Sequence, residues 1–177
     1  SCSRRGSNNP NPNTDITEDL LLLYELSLTV GRTLDPHANS RDFLRVLVAK
    51  RNLNGAAIWW LDDDVFAFPA SELQLLDAIP RSHVWASRLP LAHPFWQLSR
   101  NGQTLSFAAD APEIAAIFSE EDHRDMACAL LPLGDQGVLV MSSTSPSALQ
   151  ARKLSQLRGV VGKLANAIQG ARAFSRL

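Results

Sequence analysis

The stretch "AAIWWL", Ala56 to Leu61, constrains the fold more than any other part of the chain. In a β-strand, side chains point alternately to two faces. Here both sets are apolar, with Ala57, Trp59 and Leu61 on one face and Ile58 and Trp60 on the other. A strand like that sits inside a sheet, with a layer of structure covering each side.

The segments around it say what those layers are made of. Residues 1–13 show no apolar periodicity and read as a disordered linker or tail, ahead of a single domain over 14–177. Thr14 or Thr17 caps a first helix, with Asp15, Glu18 and Asp19 in its first turn. Ile16, Leu20, Leu23, Leu26, Val30 and Leu34 recur at helical spacing. Leu21, Leu22 and Leu28 widen that stripe, which predicts a helix with two neighbours rather than one. A second helix starts near Ser40, carries Phe43, Leu44 and Leu47, and breaks at Asn54–Gly55.

Beyond the central strand, Asp62–Asp64 predicts a hairpin turn into a strand over Val65–Phe68. "ELQLLDAI" reads as a short helix, and "LPLAHPFWQLSRNGQ" mixes Pro with aromatics before a turn at Asn101–Gly102. "TLSFAAD" reads as a strand and "APEIAAIFSEEDHRDM" as a helical segment. "ACALLPL" and "VLVMSSTS" pair around the turn "GDQG", with Pro132 implying an edge position or a bulge. A last helix over 147–177 opens at Pro146, with Ser147 and Gln150 at capping-box spacing. Strand and helix do not alternate as a parallel α/β fold requires. The plan is α+β: a central antiparallel sheet of about five to six strands, the N- and C-terminal helices packed on one face, and irregular loops and short helices over the other.

A net charge of −1 argues against general nucleic-acid or membrane-surface binding, and no apolar run is long enough for membrane insertion. Two cysteines, Cys2 and Cys128, make no disulfide framework and point to a reducing, cytoplasmic setting. With no initiating Met and no signal-peptide core, the chain reads as an excised fragment.

Several strings in this order resemble a GAF domain: "LLLYELSLTVGRTLD", "FLRVLVAKRNLNGAAIWWLDDD", and "LLPLGDQGVLVMSSTSP" running into "LSQLRGVVGKLANAIQGARAF". The resemblance spans about Thr14 to Phe174. It implies a sensory module of a bacterial signalling protein that holds a small molecule between the sheet and its covering loops. It further implies a homodimer through the terminal helices, and a last helix that carries the pocket's state into a cyclase, kinase or transcriptional output domain.

The last helix has its own evidence for this. Leu154, Leu157, Val161, Leu164, Ile168 and Ala171 step 3-4-3-4-3, a coiled-coil seam expected to form the dimer and signalling helix. Gly159, Gly162, Asn166, Gly170 and Ala173 form a small-residue stripe on the other side. The alternative is that the seam packs on the domain's own sheet and the stripe faces water.

The candidate pocket is the aromatic middle: Trp85, Phe95, Trp96 and Phe107 with Trp60 from the central strand, and His83, His93 and Arg88 as polar contacts. The alternative is that these aromatics make a second small core with nothing bound. That alternative leaves a GAF-like dimerisation or docking module without a ligand. No cofactor is identified. His37, His83, His93 and His123 lack metal-ligand spacing, so no metal site is expected. Some GAF sensors hold haem through one His, but His93 reads first as a pocket-wall histidine. Bilin-binding relatives place a His after the attachment Cys, where this chain has Ala129 after Cys128. "FSEEDH" matches only the end of the cyclic-nucleotide signature of the family. No nucleophile–base arrangement is visible, so no enzyme activity is expected.

Overall fold

The strand anticipated from "AAIWWL" is β1, Gly55–Trp60, and every residue in it is buried. It pairs antiparallel with β2, Glu72–Ile79, on one side and with β6, Gly137–Ser143, on the other. Outside β2 lies β3, Arg88–Pro90, and outside β6 lie β5, Ala127–Leu133, and then β4, Leu105–Phe107. The computed structural model describes residues 12–61, 72–80, 84–119 and 126–175. Among them the strands form one antiparallel sheet in the order β3-β2-β1-β6-β5-β4. The fold is α+β, as the order of elements predicted. The expected hairpin at Asp62–Asp64 and strand at Val65–Phe68 lie outside the described residues.

Three helices cover one face: α1, Pro12–Thr29, α2, Pro36–Arg51, and α4, Ala151–Ser175. Helix α2 starts four residues before the expected Ser40, because Asp35 accepts the His37 N–H and Pro36 fits the first helical position. It ends at Asn52, which adopts the left-handed conformation at φ 53°. A 3₁₀ turn, Pro146–Leu149, precedes α4, so the expected capping box does not form. The Ser147 hydroxyl bonds that of Ser145 instead.

Period-two alternation divides the sheet residues cleanly. Ile58, Trp60, Leu131, Leu139 and Met141 join the helix-side core with Leu26, Phe43 and Leu164. Ala57, Trp59, Leu130, Val138 and Val140 join a second core on the opposite face. Each fully buried large apolar side chain contributes about 1.5–3 kcal/mol, so both layers hold the sheet in place. The Trp60 ring lies across the neighbouring strand above Gly137, its register partner. A Cβ on Gly137 would sit 2.6 Å from that ring.

Three local expectations are corrected. "ELQLLDAI" is strand β2 rather than a helix, because β1 needs a hydrogen-bonding neighbour on that side and this pairing outweighs the helix preference of Leu. In "APEIAAIFSEEDHRDM" only a 3₁₀ helix forms among the described residues, Pro112–Ile117. On α1 the residues turned to the core are Asp19, Leu22, Leu26 and Thr29, whereas Ile16 and Leu20 of the expected stripe are exposed. Pro132 is not on an edge strand, but β4 pairs only with residues 128–130 of β5, which leaves that flank of Pro132 open as its missing N–H requires.

Candidate functional site

The second core is an aromatic layer built on the centre of β1. The Trp59 indole packs edge-on against Trp85 at 5.8 Å, and Trp85 packs against Phe118 at 4.8 Å. A short bridge between Trp85 and Phe118 holds that pair, with the Ala86 and Ser119 N–H groups donating to Ile117 and Val84 carbonyls. Further along, Phe95 contacts Phe107 at 4.8 Å and the His93 ring at 4.8 Å. Phe95 and Trp96 reach the layer because helix α3, Pro94–Arg100, lies over β5 and β6.

His93 begins that helix. Its Nδ1 accepts the Phe95 N–H at 3.1 Å, so the ring proton sits on Nε2, which donates to the Glu113 carbonyl at 3.0 Å. One neutral imidazole thereby ties the start of α3 to the 3₁₀ helix Pro112–Ile117. Burial lowers its pKa below the ordinary histidine value, because removing the ring from water disfavours the cation. Two indole N–H groups are likewise engaged: Trp59 donates to the Ala86 carbonyl at 2.9 Å and Trp85 to the Ile79 carbonyl at 3.2 Å.

The structure thus gathers five of the eight candidate pocket residues: Trp85, His93, Phe95, Trp96 and Phe107. Arg88 lies apart on the edge strand, 66% exposed and paired with Glu72 at 3.5 Å. Trp60 faces the helix layer. His83 lies outside the described residues. Trp59 is the central residue that sequence reasoning passed over. Both faces of β1 are apolar, so alternation says that only one of Trp59 and Trp60 reaches the aromatic layer without saying which. The thiol of Cys128 is buried in this core and its pKa is pushed up to about 12 by burial, so it packs as a small apolar group. Among the described residues no three His, Cys, Asp or Glu side chains converge as metal ligands.

The seam on α4 is corrected. Leu154, Leu157, Val161, Leu164 and Ile168 lie in the helix-side core of their own domain, and Ala171 is buried as well, so none of the six is available to a second chain. A 3-4 spacing marks an apolar face without specifying what covers it. Two polar ties run round the sheet edge to this end of the chain: α4's Arg158 donates to the Gly102 carbonyl at 3.2 Å, and Ser106 donates to the carbonyl of Leu149, in the 3₁₀ turn before α4, at 2.8 Å.

This architecture is the GAF fold. The chain is similar to a free methionine-R-sulfoxide reductase from Neisseria meningitidis solved with its substrate, at TM-score 0.70 and 18% identity over 88% of this chain and 91% of that one. It is equally similar to the GAF domain of a phosphoenolpyruvate-protein phosphotransferase from Coxiella burnetii, at TM-score 0.70 and 16% identity over 91% and 98% of the two chains. The GAF domain of a two-component sensor histidine kinase from Bacillus halodurans matches at TM-score 0.56 and 16% identity over 76% and 97%. No protein-family model and no curated protein matches the chain. No helix among the described residues is long and apolar enough to cross a membrane.

Proposed function

We propose that this domain is a regulatory GAF module that senses a small molecule at its aromatic layer, works as a homodimer, and controls an output domain of cyclase, kinase or transcriptional type. The observation that carries this reading is the three-layer plan itself. One sheet, buried on both faces, separates an aromatic layer from a helix layer, and α3 and α4 both pack on β5. A shift of α3 over the sheet is thereby felt by α4, reinforced by the Arg158 and Ser106 ties. GAF domains of a sensor kinase and of a phosphotransferase share the fold, which supports a regulatory role.

A specific observation favours a second reading, a GAF-like docking module without a ligand. The indole N–H groups of Trp59 and Trp85 and both His93 nitrogens are engaged by the domain's own atoms, so these three side chains offer a ligand few polar handles.

Native mass spectrometry of the purified protein tests both. A dimer with a small discrete mass excess, lost on Trp96→Ala, supports the sensor. A dimer with no excess, before and after exposure to a cell metabolite extract, supports the docking module. A monomer overturns the dimeric part.

A further inference from the structure

The turn that joins β5 to β6, residues 134–136, is held from both layers at once. From the aromatic side, the buried Ser99 of α3 donates its hydroxyl to the Gly137 carbonyl at 3.0 Å. From the helix side, Gly134 faces α4: a Cβ there would stand 3.5 Å from that of Ala165, which is ordinary van der Waals contact. The Trp60 ring lies on Gly137, and Trp60 shares the helix-side core with Leu157, Val161 and Leu164 of α4. The Gln136 carbonyl accepts the Leu61 N–H at 2.7 Å, which fixes the turn to the end of β1.

Two glycines make this arrangement possible. A strand residue with a side chain meets one layer with that side chain and separates it from the other. Gly134 and Gly137 have none, so elements of opposite layers rest on backbone only three residues apart. Gly134 and Asp135 are exposed, so the turn can shift without opening either core. Ser99 does not let go of it easily, because a buried hydroxyl left without a partner costs about 1–3 kcal/mol. Helix α3 and the turn therefore move together.

We infer that, in the regulatory module proposed above, on which this rests, the β5–β6 turn is the element that couples α3 to α4. Ser99 is the positioning residue that makes the turn follow α3. Ala165 and Trp60 are the contacts through which α4 follows the turn. Strand β5, on which both helices also pack, is the stiffer route. It pairs with β6 over its whole length, and its side chains are divided between the two cores.

Proximity places these elements together, and a response of one to a push on another is what shows coupling. Ala165→Val adds two methyl groups against Gly134, and amide hydrogen exchange on the full chain reads the response in α3. The expected result is exchange about fivefold faster at the Gln97 and Asn101 amides, the lower end of coupling between sites, with the α2 amides unchanged. With Ser99→Ala in the same chain, Ala165→Val no longer alters α3. Ala165→Ser makes the same comparison with a side chain only one atom larger, should the valine prevent folding. An acceleration of α3 that is the same with and without Ser99→Ala would place the route in β5 and overturn the inference. Faster exchange shared equally by α2 would mean a loss of stability throughout the domain and overturn it too, as would no response to either variant. Whether a small molecule is bound is read separately by the mass measurement, so sensing and coupling fail independently.

Discussion

The guanidinium of Arg51 lies 2.7 Å from the carboxylate of Asp19, fastening the last turn of α2 to α1. Both side chains are nearly buried, at 11% and 12% exposure, and Arg51 reaches on to Gln156 of α4 at 3.4 Å. One ion pair therefore joins all three helices of the layer.

Breaking that pair strands a charge in a poorly solvated place. Asp19→Ala is expected to lower unfolding stability by about 3 kcal/mol, within the range for a buried pair that loses one partner. Asp19→Leu combined with Arg51→Met should recover most of that loss, because no unpaired charge remains. Urea denaturation of the three proteins checks both statements.

His93 makes stability depend on pH. Its folded pKa is lowered, so below the ordinary value of 6.5 the unfolded chain binds a proton that the folded one resists. Its contribution is fully present above that pH and declines as pH falls. Protonating Nδ1 also removes the acceptor for the Phe95 N–H. His93→Gln loses the helix cap, at a cost of about 1 kcal/mol at pH 7.5. The difference between this variant and the parent should narrow at pH 5.5, and denaturation curves at the two pH values measure it.

Two glycines should respond to the same substitution with opposite signs. Gly137→Ala forces a Cβ to 2.6 Å from the Trp60 ring and 3.0 Å from the Trp59 carbonyl, and should cost about 2 kcal/mol or more. Gly159→Ala meets open space within a helix and should add about 0.5–1 kcal/mol. Thermal melts of the two variants decide it.

With its pKa near 12, Cys128 carries almost no thiolate at pH 8. In a Cys2→Ser background, the native protein should fail to react with a thiol reagent over hours and react fully within minutes in denaturant. Rapid native labelling would show that the aromatic core opens.

Much of the fold was legible because it rests on local rules. Apolar residues on both faces of "AAIWWL" demand a central strand and "GDQG" closes the β5–β6 hairpin, whereas α2 ends at Asn52, two residues before the expected break at Asn54–Gly55. Strand β2 was misread as a helix because Leu suits helices locally, and only the open edge of β1 decides otherwise. Of the candidate pocket, the aromatics along residues 85–107 were correctly grouped, since they share one short segment of chain. Trp60 was grouped with them in place of Trp59 because choosing between neighbours on a two-faced strand needs knowledge of which layer lies above.

By itself, the sequence determined which residues are apolar, at what spacing, and where the chain turns; it thereby specified an α+β sheet covered on both sides. It showed that α1 and α4 each have an apolar face, and that one is acidic and the other basic. The tertiary structure decided which face of each helix is used inside the domain. It buried the seam of α4 in its own core and left the stripe of α1 exposed. The physical reason is that hydrophobic burial is non-directional. Periodicity records that a face must be covered, and only the packed arrangement of the other elements supplies the cover.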